Sequence, residues 1–371
     1  MNIGITCYPT YGGSGIIATE LGKALARAGD EVHFIASSLP VRLSAFDERI
    51  HFHEVGGLAY PLFEHPPYTL NLTNRMVKVV REHHIDVLHV HYAIPHAVSA
   101  VLARDILTAD VSGVKIVTTL HGTDILLVGQ DESYFDITKY SMEQSDALTA
   151  VSDYLSARTK EIFGITKNIR VIKNFVDVAV FSRDAFAGSS VVRHGSSPVL
   201  LHVSNFRPVK DIAVLIKAFA RVRKRADAHL VLAGDGPERP AMEKLVRSLS
   251  LSQNVTFLGA TDALPAIMAS SDIFLLSSTL ESFGLAALEA MAMGVPVVST
   301  DCGGIREVVA DGVTGRIVPV GDHEGMANAV CGLIDDVPLR KRMGDASYQR
   351  VRDEFTIERI VPRYRDVYAS I

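Results

Sequence analysis

The chain reads as short apolar runs of strand length, alternating with longer stretches whose apolar residues recur at helical spacing. Ile3 to Cys7 is one such run, followed by a loop from Tyr8 to Gly15 and a helical pattern from Ile16 to Ala28 that stops at Gly29. Further runs fall at Glu31 to Ala36, Ile85 to His91, Val114 to Leu120, Ala147 to Val151 and Ile169 to Ile172. Past the glycine and serine rich stretch Gly188 to Pro198 the pattern begins again, with runs at Val199 to Val203, His229 to Ala233, Asn254 to Leu258 and Asp272 to Leu276. Strands separated by helices predict parallel sheets, whose ligands gather beyond the carboxyl ends of the strands. The expected fold class is α/β, with Rossmann-like, doubly wound parallel sheets.

Length and composition narrow this picture. A chain of 371 residues is too long for one ordinary core, and predicts about two domains. Hydrophobic residues make up 48% of it, yet no apolar run reaches the ~18 residues of a membrane helix, and Met1-Asn2-Ile3 enters a strand with no basic leader. A soluble, cytoplasmic protein is expected. The net charge of -5 is mild and the basic residues are dispersed, which argues against a nucleic-acid partner. Cys7, Cys302 and Cys331 lack any paired spacing and read as buried thiols. Arg359, Arg363 and Arg365 interrupt the apolar residues of the last helical pattern, which reads as a packed terminal helix with a solvated face rather than a membrane-surface helix.

Candidate chemistry sits at the strand ends. Gly12-Gly13-Ser14-Gly15 precedes a helix, and is open to two readings: an anion site built of amides, or a tight connection. His89 and His91 fall on one face of their strand, and with His96, His51 and His53 they suggest a metal; no carboxylate or thiol joins them at ligand spacing, so none is expected. His121 ends an apolar strand and faces the loop layer where substrates bind, unless Thr123 or Asp124 caps the following segment and His121 only packs. Arg207 and Lys210 flank a strand-to-helix turn, where they either converge on a diphosphate or stand as two solvated cations. Glu281 lies in a strand-to-helix loop, and Glu289 follows after seven intervening residues inside an otherwise apolar helix, where a charge needs a partner. Between them Ser282-Phe283-Gly284-Leu285 presents the amides of a helix N-terminus, which suit a phosphate.

Taken with Gly294-Val295-Pro296-Val297-Val298 and Gly303-Gly304-Ile305-Arg306-Glu307, this glutamate pair resembles the retaining family 4 glycosyltransferases; Arg306 stands where that family usually has proline. The resemblance implies a GT-B fold, two Rossmann-like domains facing across a cleft and closing on their substrates. It places a first domain at residues 1–177, a second at 178–354, and a final helix at 355–371 that packs back on the first. It implies that Glu281 holds hydroxyls of the donor sugar, that Glu289 holds the ribose, and that the amides of Phe283, Gly284 and Leu285 hold the diphosphate. Arg207 and Lys210 would neutralise the leaving nucleotide, His121 would touch the sugar beside its phosphate, and Gly13 and Gly259 would complete the donor site.

The stretches Cys7-Tyr8-Pro9, Gly12-Gly13-Ser14-Gly15, His89-Val90-His91-Tyr92-Ala93-Ile94-Pro95-His96-Ala97 and Leu120-His121-Gly122-Thr123-Asp124 narrow the likeness to members that move N-acetylglucosamine from UDP to L-malate. Ser14, Tyr92, Thr119 and Arg207 would then hold this small dicarboxylate acceptor, with no metal or other cofactor. First-domain loops supply few basic residues beyond Arg42, which favours a dicarboxylate over an inositol phosphate. Another acceptor, a UDP-sugar epimerase and a binding-only nucleotide-sugar sensor are the rival readings, and a homo-oligomer is left open.

Overall fold

The computed structural model describes residues 1–43, 47–57, 66–108, 113–193 and 195–371. They form two compact units, Met1–Asn174 with Ile357–Ile371, and Phe175–Thr356. The divisions lie three residues before and two residues after the positions expected at Asp177 and Phe355. Backbone pairing gives the reason: the Val176 amide donates to the Phe355 carbonyl at 2.9 Å and Val176 bridges Thr356, so both segments belong to the second unit.

Among the described residues of the first unit, β1 (Asn2–Thr6), β2 (Glu31–Ala36), β3 (Ile50–Glu54), β4 (Val87–His91), β5 (Lys115–Leu120), β6 (Ala147–Ala150) and β7 (Ile169–Val171) form one sheet in the order β3-β2-β1-β4-β5-β6-β7. Every pairing is parallel. The second unit repeats the plan with β8 (Val199–Val203), β9 (His229–Ala233), β10 (Val255–Gly259), β11 (Ile273–Leu276), β12 (Val297–Thr300) and β13 (Gly315–Val318), in the order β10-β9-β8-β11-β12-β13. These pairings are parallel as well. Strand order reverses between β1 and β4 in one unit and between β8 and β11 in the other. At such a point the loops leaving two neighbouring strands diverge to opposite faces and open a crevice at their carboxyl ends.

The strands read as nearly unbroken apolar runs because helices cover both faces. In the first unit Leu72, Met76 and Val80 of the helix Tyr68–His83 pack with Leu88, Val90, Val101 and Ile116. In the second, Leu215 and Phe219 of the helix Ile212–Val222 pack with Leu230, Leu232 and Met326. The terminal helix Ile357–Ala369 belongs to the first unit, burying Ile360, Tyr364, Val367 and Tyr368 and leaving Arg359, Arg363 and Arg365 exposed. Cys7, Cys302 and Cys331 are free and buried, and no helix among the described residues is long and apolar enough to cross a membrane.

Two local features differ from expectation. The first helix spans Gly13–Arg27, so Gly13, Ser14 and Gly15 lie in its opening turn rather than in the preceding loop. A Cβ at Gly15 would press on the carbonyl oxygens of Tyr8 and Thr10, so a residue without a side chain lets the loop fold flush against the helix start. The edge strand β3 escaped the pattern because only alternate positions of Ile50-His51-Phe52-His53-Glu54 are apolar.

Candidate active site

In the first unit the loops leaving β1, β4 and β5 meet. Ser14, held in the first helical turn after β1, donates its hydroxyl to the Tyr92 phenol oxygen at 3.0 Å. Tyr92 follows β4 directly with φ 96°, a conformation costly for a residue with a large side chain. Its neighbours hold it there, through its amide to the Thr119 carbonyl at 3.0 Å and the Ala97 amide to its own carbonyl at 3.2 Å. The Tyr92 ring lies 5.5 Å from the His121 ring and 5.4 Å from the Tyr8 ring, centroid to centroid.

His121 sits on the end of β5, buried at 8% exposure, and its Nε2 is 2.8 Å from Nδ1 of His91 on the end of β4. His91 is fixed from below: the His96 Nδ1–H donates to the His91 carbonyl at 2.6 Å, and the His89 and His91 rings stack at 4.6 Å. Burial pushes the His121 pKa down to about 3, helped by His96, and pushes His91 well below its ordinary value. These imidazoles are neutral at neutral pH. They can donate or accept one hydrogen bond at each ring nitrogen, and they bring no net charge to a ligand.

Asp124 organises this corner and was not among the expected site residues. Its Oδ1 accepts from the Gly122 amide at 2.9 Å and the His121 amide at 3.3 Å, and its Oδ2 accepts from the Ala93 amide at 2.9 Å. The carboxylate thus ties the loop after β4 to the loop after β5. Burial pushes its pKa up to about 6, while the amides pull it down. The capping tendency of Asp124 was visible in sequence, but its reach to Ala93 was not, since that contact spans neighbouring strands. Thr119 needs correction as a ligand-facing residue. It is fully buried, and its hydroxyl already meets His89 Nε2 and Thr149 Oγ1 at 2.7 and 2.6 Å, because it lies on the same face of β5 as His121 but two residues deeper, in the layer under the site.

In the second unit the loops leaving β8 and β11 meet. Lys210 closes the short turn Pro208–Lys210, and its Nζ lies 2.6 Å from Glu281 Oε1 with both side chains mostly buried. Ser278 donates to the same oxygen at 2.7 Å, and the Gly304 amide holds the Glu281 carbonyl at 2.8 Å. Arg207 precedes the turn and is exposed, so the two cations differ in setting. His202, on β8, donates from Nδ1 to the Leu275 carbonyl at 2.9 Å, and its Nε2 accepts from the Ser204 hydroxyl at 2.8 Å. Burial pushes its pKa down to about 4, against the pull of that carbonyl, and Lys210 and Glu281 both act on it. It is a second residue that sequence reasoning passed over, for it looks like an ordinary member of an apolar strand.

The helix Leu285–Ala292 starts at Gly284, whose φ of 99° suits only glycine, and no side chain caps it. The amides of its first turn are therefore the free donors that an anion needs. Phe283 is buried, with its ring 5.9 Å from Phe355. Glu289 is buried inside the helix and has an interaction partner, as an apolar helix demands. Gly259 ends β10 with φ 72°, and its carbonyl accepts from the Gly234 amide at 2.7 Å. The turn Gly303–Glu307 forms without proline, braced by a two-pronged pair in which Arg306 Nε and Nη2 each lie 2.7 Å from an Asp301 oxygen.

Two family patterns match this chain, Glycosyltransferase Family 4 over residues 11–180 and Glycosyl transferases group 1 over residues 189–350. The N-acetyl-alpha-D-glucosaminyl L-malate synthase of Bacillus anthracis is 44% identical over 375 residues, covering 100% of this chain and 97% of that protein. The chain belongs to the family 4 glycosyltransferases. A GDP-mannose-dependent phosphatidylinositol monomannoside mannosyltransferase of Mycobacterium tuberculosis is 28% identical, over 96% of this chain and 94% of its own. Among solved structures, Anabaena Alr3699/HepE in complex with UDP-glucose has a TM-score of 0.83 at 20% identity, and sucrose-phosphate synthase from Thermosynechococcus elongatus has 0.82 at 23%; each covers both chains completely. The fold is that of the GT-B glycosyltransferases. In this glycosyltransferase Glu281, Lys210 and the uncapped helix start gather at the switch point of the second unit, with Glu289 buried in the helix that starts there, while Ser14, Tyr92 and His121 gather at that of the first.

Proposed function

We propose that this glycosyltransferase moves N-acetylglucosamine from UDP-N-acetylglucosamine to the hydroxyl of L-malate, with retention of the α configuration and without a metal in the reaction. The observation that carries this reading is the 44% identity, along the whole chain, to the Bacillus anthracis synthase. The donor binds the second unit. Glu289 accepts from the ribose hydroxyls, Glu281 from hydroxyls of the sugar, and the amides of Phe283, Gly284 and Leu285 donate to the diphosphate. Lys210, already paired with Glu281, and Arg207 stabilise the charge that grows on the leaving diphosphate, the task a divalent cation performs elsewhere.

Malate is held by Ser14 and Tyr92, and by the Arg207 fork, which matches a carboxylate. His121 donates a hydrogen bond beside the leaving phosphate, and Gly13 contributes an amide of the first helical turn. The new bond forms on the face that the diphosphate leaves, through an oxocarbenium-like state. The leaving phosphate accepts the proton of the incoming hydroxyl, so no protein carboxylate acts as nucleophile. The enzyme works in the cytoplasm. Incubation with UDP-N-acetylglucosamine tests the reading: UDP release that depends on L-malate supports it, whereas an epimerised sugar nucleotide, or binding without turnover, overturns it.

A further inference from the structure

Away from the site, four imidazoles crowd one face at the edge of the first sheet. His33 projects from β2, and His51 and His53 from β3; the register pairs His33 with His51 and Ile35 with His53, so all three histidines share that face. His83 covers them from the last turn of the helix Tyr68–His83. The His33 ring is 4.6 Å from His51, 5.2 Å from His53 and 4.5 Å from His83, and the His53 ring is 4.9 Å from His83. One ligand nitrogen each of His33, His53 and His83 lies within 4.8 Å of the others, and Nδ1 of His33 is only 2.9 Å from Nε2 of His53.

We propose that His33, His53 and His83 form a structural site for one divalent transition-metal ion of the zinc type, which clips the edge strand β3 and the end of a helix to β2. Three neutral imidazoles are the donor set such ions prefer over oxygen-seeking magnesium or calcium. Tetrahedral coordination at ~2.1 Å puts ligand nitrogens ~3.4 Å apart, which these rings reach by small side-chain rotations. Glu31 Oε2 holds His51 at 3.1 Å and its Oε1 holds Arg49 at 2.8 Å, which keeps His51 beside the site as an outer partner. Arg75, on the same helix as His83, acts on His53 and disfavours a bare dication, so an anionic fourth ligand such as hydroxide or chloride completes the shell.

The position separates this ion from the glycosyl transfer. His83 lies toward the amino ends of the strands, where its carbonyl accepts from the Asn2 side chain at 3.0 Å, whereas Ser14, Tyr92 and His121 follow the carboxyl ends. The ion site is therefore independent of which acceptor the enzyme takes.

The test uses the full chain, stripped with a chelator and titrated with zinc by calorimetry and with cobalt(II) by visible absorption. One ion per chain, with the intense bands of tetrahedral cobalt and a rise in unfolding temperature, is the expected result. Because His83 is half-buried at a helix end, His83→Gln should fold normally by circular dichroism; it should bind at least tenfold more weakly, as should His53→Gln, while His84→Asn next to it binds like the parent. The initial rate of sugar transfer should not change on removing the ion. Failure to retain any ion, or a His83→Gln protein that binds as tightly as the parent, overturns the proposal.

Discussion

Nδ1 of His91 lies 2.8 Å from Nε2 of His121, joining the ends of two neighbouring strands through a pair of buried rings. One ring must donate and the other accept, so His91 couples the tautomer of His121 to its own and holds its tilt.

His91 is thus a positioning residue for His121. His91→Ala should cost about 1 kcal/mol of transition-state stabilisation, roughly a fivefold fall in kcat, with UDP affinity unchanged. His121→Ala should do more damage of the same kind, and the double variant little more than His121→Ala alone. Independent, additive losses would mean that the two rings do not act as a unit.

The paired glutamates should separate by ligand. Glu289→Gln should weaken UDP itself. Glu281→Gln should leave UDP affinity near the parent's but impair binding and turnover of the sugar nucleotide. Calorimetric titration with UDP distinguishes them, and equal affinity in the parent and Glu289→Gln would remove Glu289 from the ribose.

Much of this was legible in the chain. Apolar runs buried on both faces gave away the parallel strands, and the glutamates stood out because Glu289 interrupts a helix of leucine, alanine and methionine. What escaped were contacts made across the sheet. Asp124 reaches Ala93, and His91 meets His121, only because β4 and β5 are neighbours, a fact that lies in strand order rather than local pattern. Thr119 reads as an acceptor ligand at a strand end, yet it sits two residues deeper than His121 on the same face, with its hydroxyl taken up by His89 and Thr149. The cluster of His33, His53 and His83 is hidden in the same way, since its members come from two strands and a helix.

Lys210→Ala should lower turnover by roughly a hundredfold, the ~3 kcal/mol typical of one group facing developing charge. It also leaves the mostly buried Glu281 carboxylate without its cation, so donor binding should weaken too. Initial rates should survive EDTA. Activity that vanishes in the chelator and returns with magnesium would assign the charge stabilisation to a metal instead.

Acid should destabilise the fold through its buried histidines. Burial holds His89 and His121 at about 3 and His96 and His202 at about 4, while unfolded imidazoles titrate near 6.5. Below that pH the unfolded chain takes up protons that the folded chain refuses. The stabilisation is full above pH ~6.5 and is lost as pH falls toward 4, at up to ~1.4 kcal/mol per pH unit for each histidine. Asp124, raised to about 6, acts in the opposite sense below that pH and offsets about one histidine's share. Urea unfolding at pH 7.5 and 5.5 should show the loss; equal midpoints would mean these rings are already charged or hydrated in the folded protein.

Acceptor choice tests the central claim most directly. A site with donors for two carboxylates leaves some of them unpaired when one is missing, so a monocarboxylate is penalised heavily. The decisive measurement is the kcat/KM for UDP release from UDP-N-acetylglucosamine with L-malate, lactate, 3-hydroxybutyrate and inositol phosphate in turn, with proton NMR of the product. The account predicts a strong preference for malate and an α linkage; comparable efficiency with lactate or inositol phosphate, or a β linkage, would contradict it.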